Sequence, residues 1–267
     1  MTLLRRVAPP VLFGGRRATL LVERNLMVYR RTWLVIVSGF FEPLFYLLSI
    51  GFGLGVLVGG IAAPDGRTIP YQAYVAPALL ASSAMNGAIY DSTMNVFFKL
   101  KYAKTYDAIL STPLSVGDVA LGEITWALIR GTLYAAAFLV VLFALGLALA
   151  PTAILALPAA ILIGFAFAGV GMAITTFVRT WQDFELVQLC ILPMFLFSAT
   201  FYPVTTYPEP IRTFVEWTPL YQGVDLIRGL TTGALGPGLL LHMVYLALMG
   251  LAGLYVVNRR LDRLLLR

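Results

Sequence analysis

The chain has 267 residues, of which 60% are hydrophobic and only 12% charged, with a formal net charge of +6. A soluble domain carries about a quarter charged residues, so a water-soluble globule is excluded and most side chains must meet lipid. The basic residues stand in blocks beside apolar runs, the arrangement of membrane anchors near anionic lipid, and nucleic acid is not an expected partner.

Residues 1–32 interleave apolar Leu20, Leu21, Leu26 and Met27 with Arg16, Arg17, Arg24, Arg30 and Arg31. This pattern predicts an amphipathic helix lying in the cytoplasmic interface. The first long apolar run begins only at Trp33 and is long enough to span, so no cleaved leader is expected.

A bilayer core takes about 20 apolar helical residues. Six segments approach that length, at 33–59, 71–98, 121–148, 153–177, 186–201 and 239–257. The fifth is short and contains Pro193, so its span is drawn at 184–203. The predicted fold is therefore an all-α polytopic membrane protein with six transmembrane helices over 33–257, followed by a basic tail at 258–267.

Lysine and arginine set the orientation. Arg5, Arg6 and the other arginines of the N-terminal arm, Lys99, Lys101 and Lys104 after the second span, Arg179, and Arg259, Arg260, Arg263 and Arg267 in the tail all fall on one side of a six-span chain. The opposite side keeps Arg67, Arg212 and Arg228. Both termini are thus expected in the cytoplasm.

The first span carries Glu42-Pro43 and a glycine ladder of Gly51, Gly55 and Gly59. A pre-proline kink would open the backbone at Glu42 to a cavity. Glycines at four-residue spacing let helices approach closely in lipid, either within one bundle or between two copies. Asp91 and Arg130 are further intramembrane charges. Such groups mark functional sites by default, with a structural pair or snorkelling as the equal alternative.

Before the last span, 202–238 is too long for a turn and too polar for a span. Its prolines at 203, 208 and 210 break helix, and 211–216 and 221–230 are predicted as short helices of a re-entrant extracellular hairpin, since non-helical backbone at membrane depth must be buried or line a wet cavity.

Nucleotide hydrolysis requires a glycine-rich loop ending in Gly-Lys-Ser/Thr, and Lys99, Lys101 and Lys104 are the only lysines, none preceded by glycine. With His242 the sole histidine and Cys190 the sole cysteine, no His/Cys metal cluster, histidine triad or internal disulfide is expected. Enzymatic activity within this chain is not expected.

The stretch Tyr106-Asp107-Ala108-Ile109-Leu110-Ser111-Thr112-Pro113-Leu114-Ser115, continuing to Glu123, resembles the connection between the second and third spans of type-2 ABC exporter permeases, those of nodulation-factor and antibiotic exporters above all. Glu42-Pro43 before Gly-x-Gly-Leu-Gly, Phe197-Ser198-Ala199-Thr200-Phe201-Tyr202-Pro203, Pro219-Leu220-Tyr221 and Asp225-Leu226-Ile227-Arg228 extend the resemblance over nearly the whole chain. It implies a half-transporter in the cytoplasmic membrane, a second permease copy, and a separate ATPase subunit that binds ATP and magnesium, with no cofactor on this chain. It also implies that 99–112 is a coupling segment in which Lys99, Tyr102, Lys104, Tyr106, Asp107 and Leu110 serve the ATPase. Without the resemblance the same segment reads as a solvated basic loop. The first and fifth spans would line the route, with polar breaks at Ser198, Thr200 and Tyr202, for an amphipathic substrate such as a lipid, glycolipid, polysaccharide or drug. The alternative is an ion-coupled secondary transporter or channel using Glu42, Asp91 and Arg130.

Overall fold

A computed structural model describes residues 17–30, 33–62 and 66–265. Arg5, Arg6, Arg16, Arg31 and Arg267, which enter the orientation argument, lie outside the described residues.

The amphipathic arm forms α1 (Ala18–Tyr29), which buries Ala18, Leu21 and Asn25 and leaves Leu20, Leu26 and Met27 exposed. The first apolar run is an almost unbroken helix: α2 (Trp33–Tyr46) with Pro43 inside it, a π-helical turn at Leu47–Phe52, and α3 (Gly53–Val58). Gly59, at φ 72°, ends it where expected. A feature absent from the sequence reading follows: β1 (Gly60–Ala62) pairs antiparallel with β2 (Thr68–Pro70), Ile61 opposite Ile69. This ribbon is the one sheet among the described residues.

Helix α4 (Tyr71–Tyr90) continues through π-helical turns at Asp91–Asn95 and Phe98–Tyr102. It is the central element, packed against the first apolar helix and against the helices Val116–Ala144, Ala156–Thr175 and Pro219–Thr232, and most of its residues are buried. That position explains its alanine- and serine-rich composition. Small side chains admit several neighbours at close range, and a helix surrounded by protein need not be strongly apolar.

The chain then turns at Lys104, whose left-handed backbone (φ 46°) forms a corner before α5 (Thr105–Leu110). Helix α6 (Val116–Ala144) starts earlier than the predicted 121 because Ser115 and Asp118 form a reciprocal capping box. Helix α7 (Ala156–Thr175) follows a 3₁₀ turn at Pro151–Leu155. Helix α8 (Phe184–Leu196) has only 13 residues, about 20 Å. The fifth span, drawn to 203, stops early because the chain breaks out of helix and Ala199 takes a positive φ of 54°. Helices α9 (Glu209–Trp217) and α10 (Pro219–Thr232) take the places predicted for the two short helices. Helix α11 (Gly238–Leu265) runs past the predicted end at 257. What is described of the basic tail is therefore helix, with the Arg260 guanidinium 3.5 Å from the Phe177 ring centroid.

Helices α7 and α11 touch backbone to backbone. A Cβ on Gly253 would lie 2.4 Å from the carbonyl carbon of Gly169, and one on Gly169 would lie 2.7 Å from the Gly250 oxygen. The glycine ladder of the first span behaves differently. Gly55 faces Gln72 of α4, Gly51 faces Leu47 of its own helix, and Gly59 terminates the element.

Among the described residues, four helices are long and apolar enough to cross a membrane, at Phe41–Val58, Val116–Ala144, Pro151–Thr175 and Gly238–Leu261. Large apolar side chains such as Leu186, Leu189, Leu192, Leu240, Leu241, Leu248 and Leu251 face outward, while Asp91, Lys99, Glu123 and Arg130 are buried. Charges inside and leucines outside make this an all-helical membrane protein.

Candidate functional site

Two buried ion pairs join the lower extension of α4 to the start of α6. Lys99 Nζ donates to Glu123 Oε2 at 2.7 Å, and Arg130 Nη1 donates to Asp91 Oδ1 at 2.6 Å. Each helix contributes one acid and one base, about two turns apart, and opposite signs meet at both rungs.

Helix α1 closes over both rungs. Asn25 Nδ2 donates to Glu123 Oε2 at 3.3 Å, and its Oδ1 accepts from Lys99 at 3.4 Å. One turn on, the Tyr29 hydroxyl accepts from Arg130 Nη1 at 3.3 Å and from Asn95 Nδ2 at 3.2 Å, and its ring packs 5.2 Å from that of Trp126. A Cβ on Gly122 would lie 2.7 Å from Leu21 Cβ, so glycine at 122 lets α1 seat this low. Burial raises the Tyr29 phenol above its ordinary range, with Arg130 pulling the other way; the group stays neutral. Tyr29→Phe is expected to cost about 1–2 kcal/mol, read as a melting temperature a few degrees lower in detergent. A melt identical to wild type would remove the hydroxyl from the network.

The predicted coupling residues divide into two sets. Tyr102, Lys104 and Asp107 are exposed, Leu110 is half-buried, and Lys99 and Tyr106 face inward with 8% and 1% exposure. Burial, then the Glu123 carboxylate, pushes the Tyr106 phenol well above its ordinary range. Lys99 and Tyr106 therefore support the outer surface and do not form it. Arg17 of the α1 region donates to the Pro113 carbonyl, so α1 also meets the far end of this segment.

Above the second rung lies a cavity of about 480 Å³ between α2, α4, α6 and α8, with Glu42, Asn86, Tyr90, Arg130, Tyr134 and Gln188 in its wall. Tyr134 accepts from Arg130 Nη2 at 3.1 Å, and its ring fits against Gly39, where a Cβ would approach to 2.7 Å. Pro43 and Tyr46 also line this cavity.

Ser198 and Thr200, predicted as polar breaks in the route, are fully buried and hydrogen-bonded to each other at 2.7 Å. Tyr202 is exposed and accepts from the Tyr207 hydroxyl at 3.0 Å. Sequence reasoning missed the roles of Asn25, Tyr29, Glu123 and Arg228. Arg228 donates to the Ala199 carbonyl at 2.8 Å and stacks 3.9 Å from the Tyr74 ring centroid, which fastens the strained turn after α8 to α4. Glu123 carried a signal of its own, as an acid inside an apolar helix.

A family profile described as "ABC-2 type transporter" matches residues 16–231. Among curated proteins, Nodulation protein J of Sinorhizobium fredii is 32% identical over 246 residues, covering 91% of this chain and 92% of that protein. Nodulation protein J of Rhizobium leguminosarum bv. viciae is 30% identical over 256 residues, 94% and 97% of the two chains. That of Bradyrhizobium diazoefficiens is 31% identical over 249 residues, 90% and 92%.

Proposed function

The chain belongs to the ABC-2 type transporter family, and from that membership we propose that it is the membrane-spanning subunit of an ATP-driven exporter whose ATPase is a separate polypeptide. In this reading α4 with its extension and α8 join the four long apolar helices as spans, giving six, and α9 and α10 form a re-entrant hairpin on the outer side. Both termini and α5 face the cytoplasm. Two copies pair across α2 and α8 and move an amphipathic substrate. ATP and magnesium bind to the partner.

The observation that carries this reading is the seating of the exposed turn at Thr105–Leu110. Its Tyr106 is buried near the Glu123 carboxylate of the Lys99–Glu123 pair, and the ladder of buried charges ends at the cavity. A surface pushed by a partner must be stiff beneath if motion is to reach the membrane. Buried, mutually satisfied ion pairs beside packed helices give that stiffness. The chain's own contribution is differential contact with substrate in two arrangements of its helices.

The test uses the permease co-expressed with the ATPase encoded beside its gene and reconstituted in lipid. Reversing the exposed charges with Lys104→Glu and Asp107→Lys, together with Tyr102→Ala, is expected to abolish co-purification and ATPase stimulation. The two charge reversals contribute little to the melting temperature of the permease alone, because isolated surface charges add little to stability, and the Tyr102→Ala single variant, which loses ring contacts with Phe97 and Phe98, is melted as the control for its share. Undiminished ATPase binding by the triple variant would sink the coupling assignment, and failure of any ATPase to bind the wild-type chain would sink the exporter reading.

A further inference from the structure

Glu42 differs from the other charges at the ladder and cavity. Asp91, Lys99, Glu123 and Arg130 are all held in ion pairs, whereas among the described residues nothing pairs with Glu42. It is the second residue of the apolar stretch Phe41–Val58, where a carboxylate is unusual. Its side chain is exposed and faces two spaces at once. Glu42 is the acid in the wall of the 480 Å³ cavity. It also sits in an open groove with Phe41, Phe45, Tyr46, Ser49 and Ile50 on the outer face of the first span. Arg130 contributes no free positive charge to the cavity, because Asp91 neutralises it at 2.6 Å. The cavity is thus left with one negative charge among aromatic rings.

We propose that Glu42 is the counter-ion of a binding site in the cavity for hydrophobic organic cations, amphipathic amines or quaternary ammonium compounds. Tyr46, Tyr90 and Phe195 are all in the cavity wall, and aromatic rings suit a soft cation. A small inorganic cation would require several oxygen ligands at one point, and the wall presents one carboxylate. The site names a substrate class for the exporter reading and rests on that reading for transport; binding itself requires no ATPase.

The experiment measures saturable binding of tritiated tetraphenylphosphonium to the purified chain in nanodiscs, after subtraction of empty nanodiscs. Tetraphenylborate, of the same shape and opposite charge, serves as control. Wild type is expected to bind the phosphonium and to be protected by it against thermal unfolding, with no such protection from the borate. Glu42→Gln, close to isosteric, is expected to weaken binding about tenfold, the scale of one partly screened charge pair, and Glu42→Asp to retain most of it. Equal binding by Glu42→Gln, or equal protection of wild type by both ions, overturns the proposal. So does competition by sodium ions together with indifference to amphipathic amines, which would assign the carboxylate to an inorganic cation. Because the assay omits the ATPase, phosphonium binding without a partner ATPase would preserve the site while refuting the exporter reading. ATPase stimulation without phosphonium binding would do the reverse.

Discussion

Gly253→Leu is expected to prevent the chain from reaching a stable fold. At Gly253 an added Cβ alone would lie 2.4 Å from the Gly169 carbonyl carbon and 2.6 Å from the Val170 nitrogen. Both obstacles are backbone, so no rotamer change relieves them and α7 and α11 must separate. In lipid there is no hydrophobic force to restore the pair, because helix association depends on close packing. Overpacking costs about 1–3 kcal/mol even where side chains can yield. A rigid backbone clash in the most extensive helix pair of the molecule should exceed that, lowering the melting temperature by roughly 10 °C or more or abolishing monodisperse protein altogether. Size-exclusion chromatography after heating reads the effect. Gly131→Ala is the control, since a Cβ there meets nothing within 4 Å, and it should melt like wild type. Normal stability of the Gly253→Leu variant would show that α7 and α11 do not meet at these glycines.

The second large effect concerns the lower rung of the ion-pair ladder. Glu123→Met leaves the Lys99 ammonium buried without its carboxylate, and Lys99→Met leaves the carboxylate with Asn25 alone. Removing one partner of a buried pair costs about 3–5 kcal/mol, whereas replacing both by apolar groups of similar volume is often near neutral. Each single variant should therefore lose stability strongly, and the double variant should regain most of it. Coupling should follow another course. With the charges gone, the Asn25 bonds that hold α1 over this rung are also lost, so ATPase stimulation in the reconstituted complex should stay impaired in the double variant. Simple addition of the two single-variant losses would mean that Lys99 and Glu123 do not interact, and full coupling in the stable double variant would remove the rung from transmission.

The membrane class, the approximate places of the apolar helices, the N-terminal helix and the two short helices before the last span were legible in the sequence. The 71–98 and 184–203 segments show where that legibility ended. The first became a central helix whose alanines and serines serve packing, and the second broke at Leu196 because the backbone turns at Ala199. The start of α6 was readable in principle, since Ser115-x-x-Asp118 is a capping pattern.

Hydropathy sums along the chain, and lipid is a nearly uniform solvent, so a run of apolar residues declares a membrane helix without reference to anything distant. A buried partner is a different kind of fact. Asp91 meets Arg130 and Lys99 meets Glu123 across 39 and 24 residues of chain, and Gly169 meets Gly253 at a longer separation still. Each meeting depends on the rotation and register of two helices about their axes. The sequence alone marked Glu42, Asp91 and Arg130 as charges set in or beside apolar runs. The tertiary structure decided that Asp91 and Arg130 neutralise each other, that Lys99 and Tyr106 turn inward, and that Glu42 is left facing the cavity and the outer groove, because only helix azimuth brings one charge to a partner and leaves another without one.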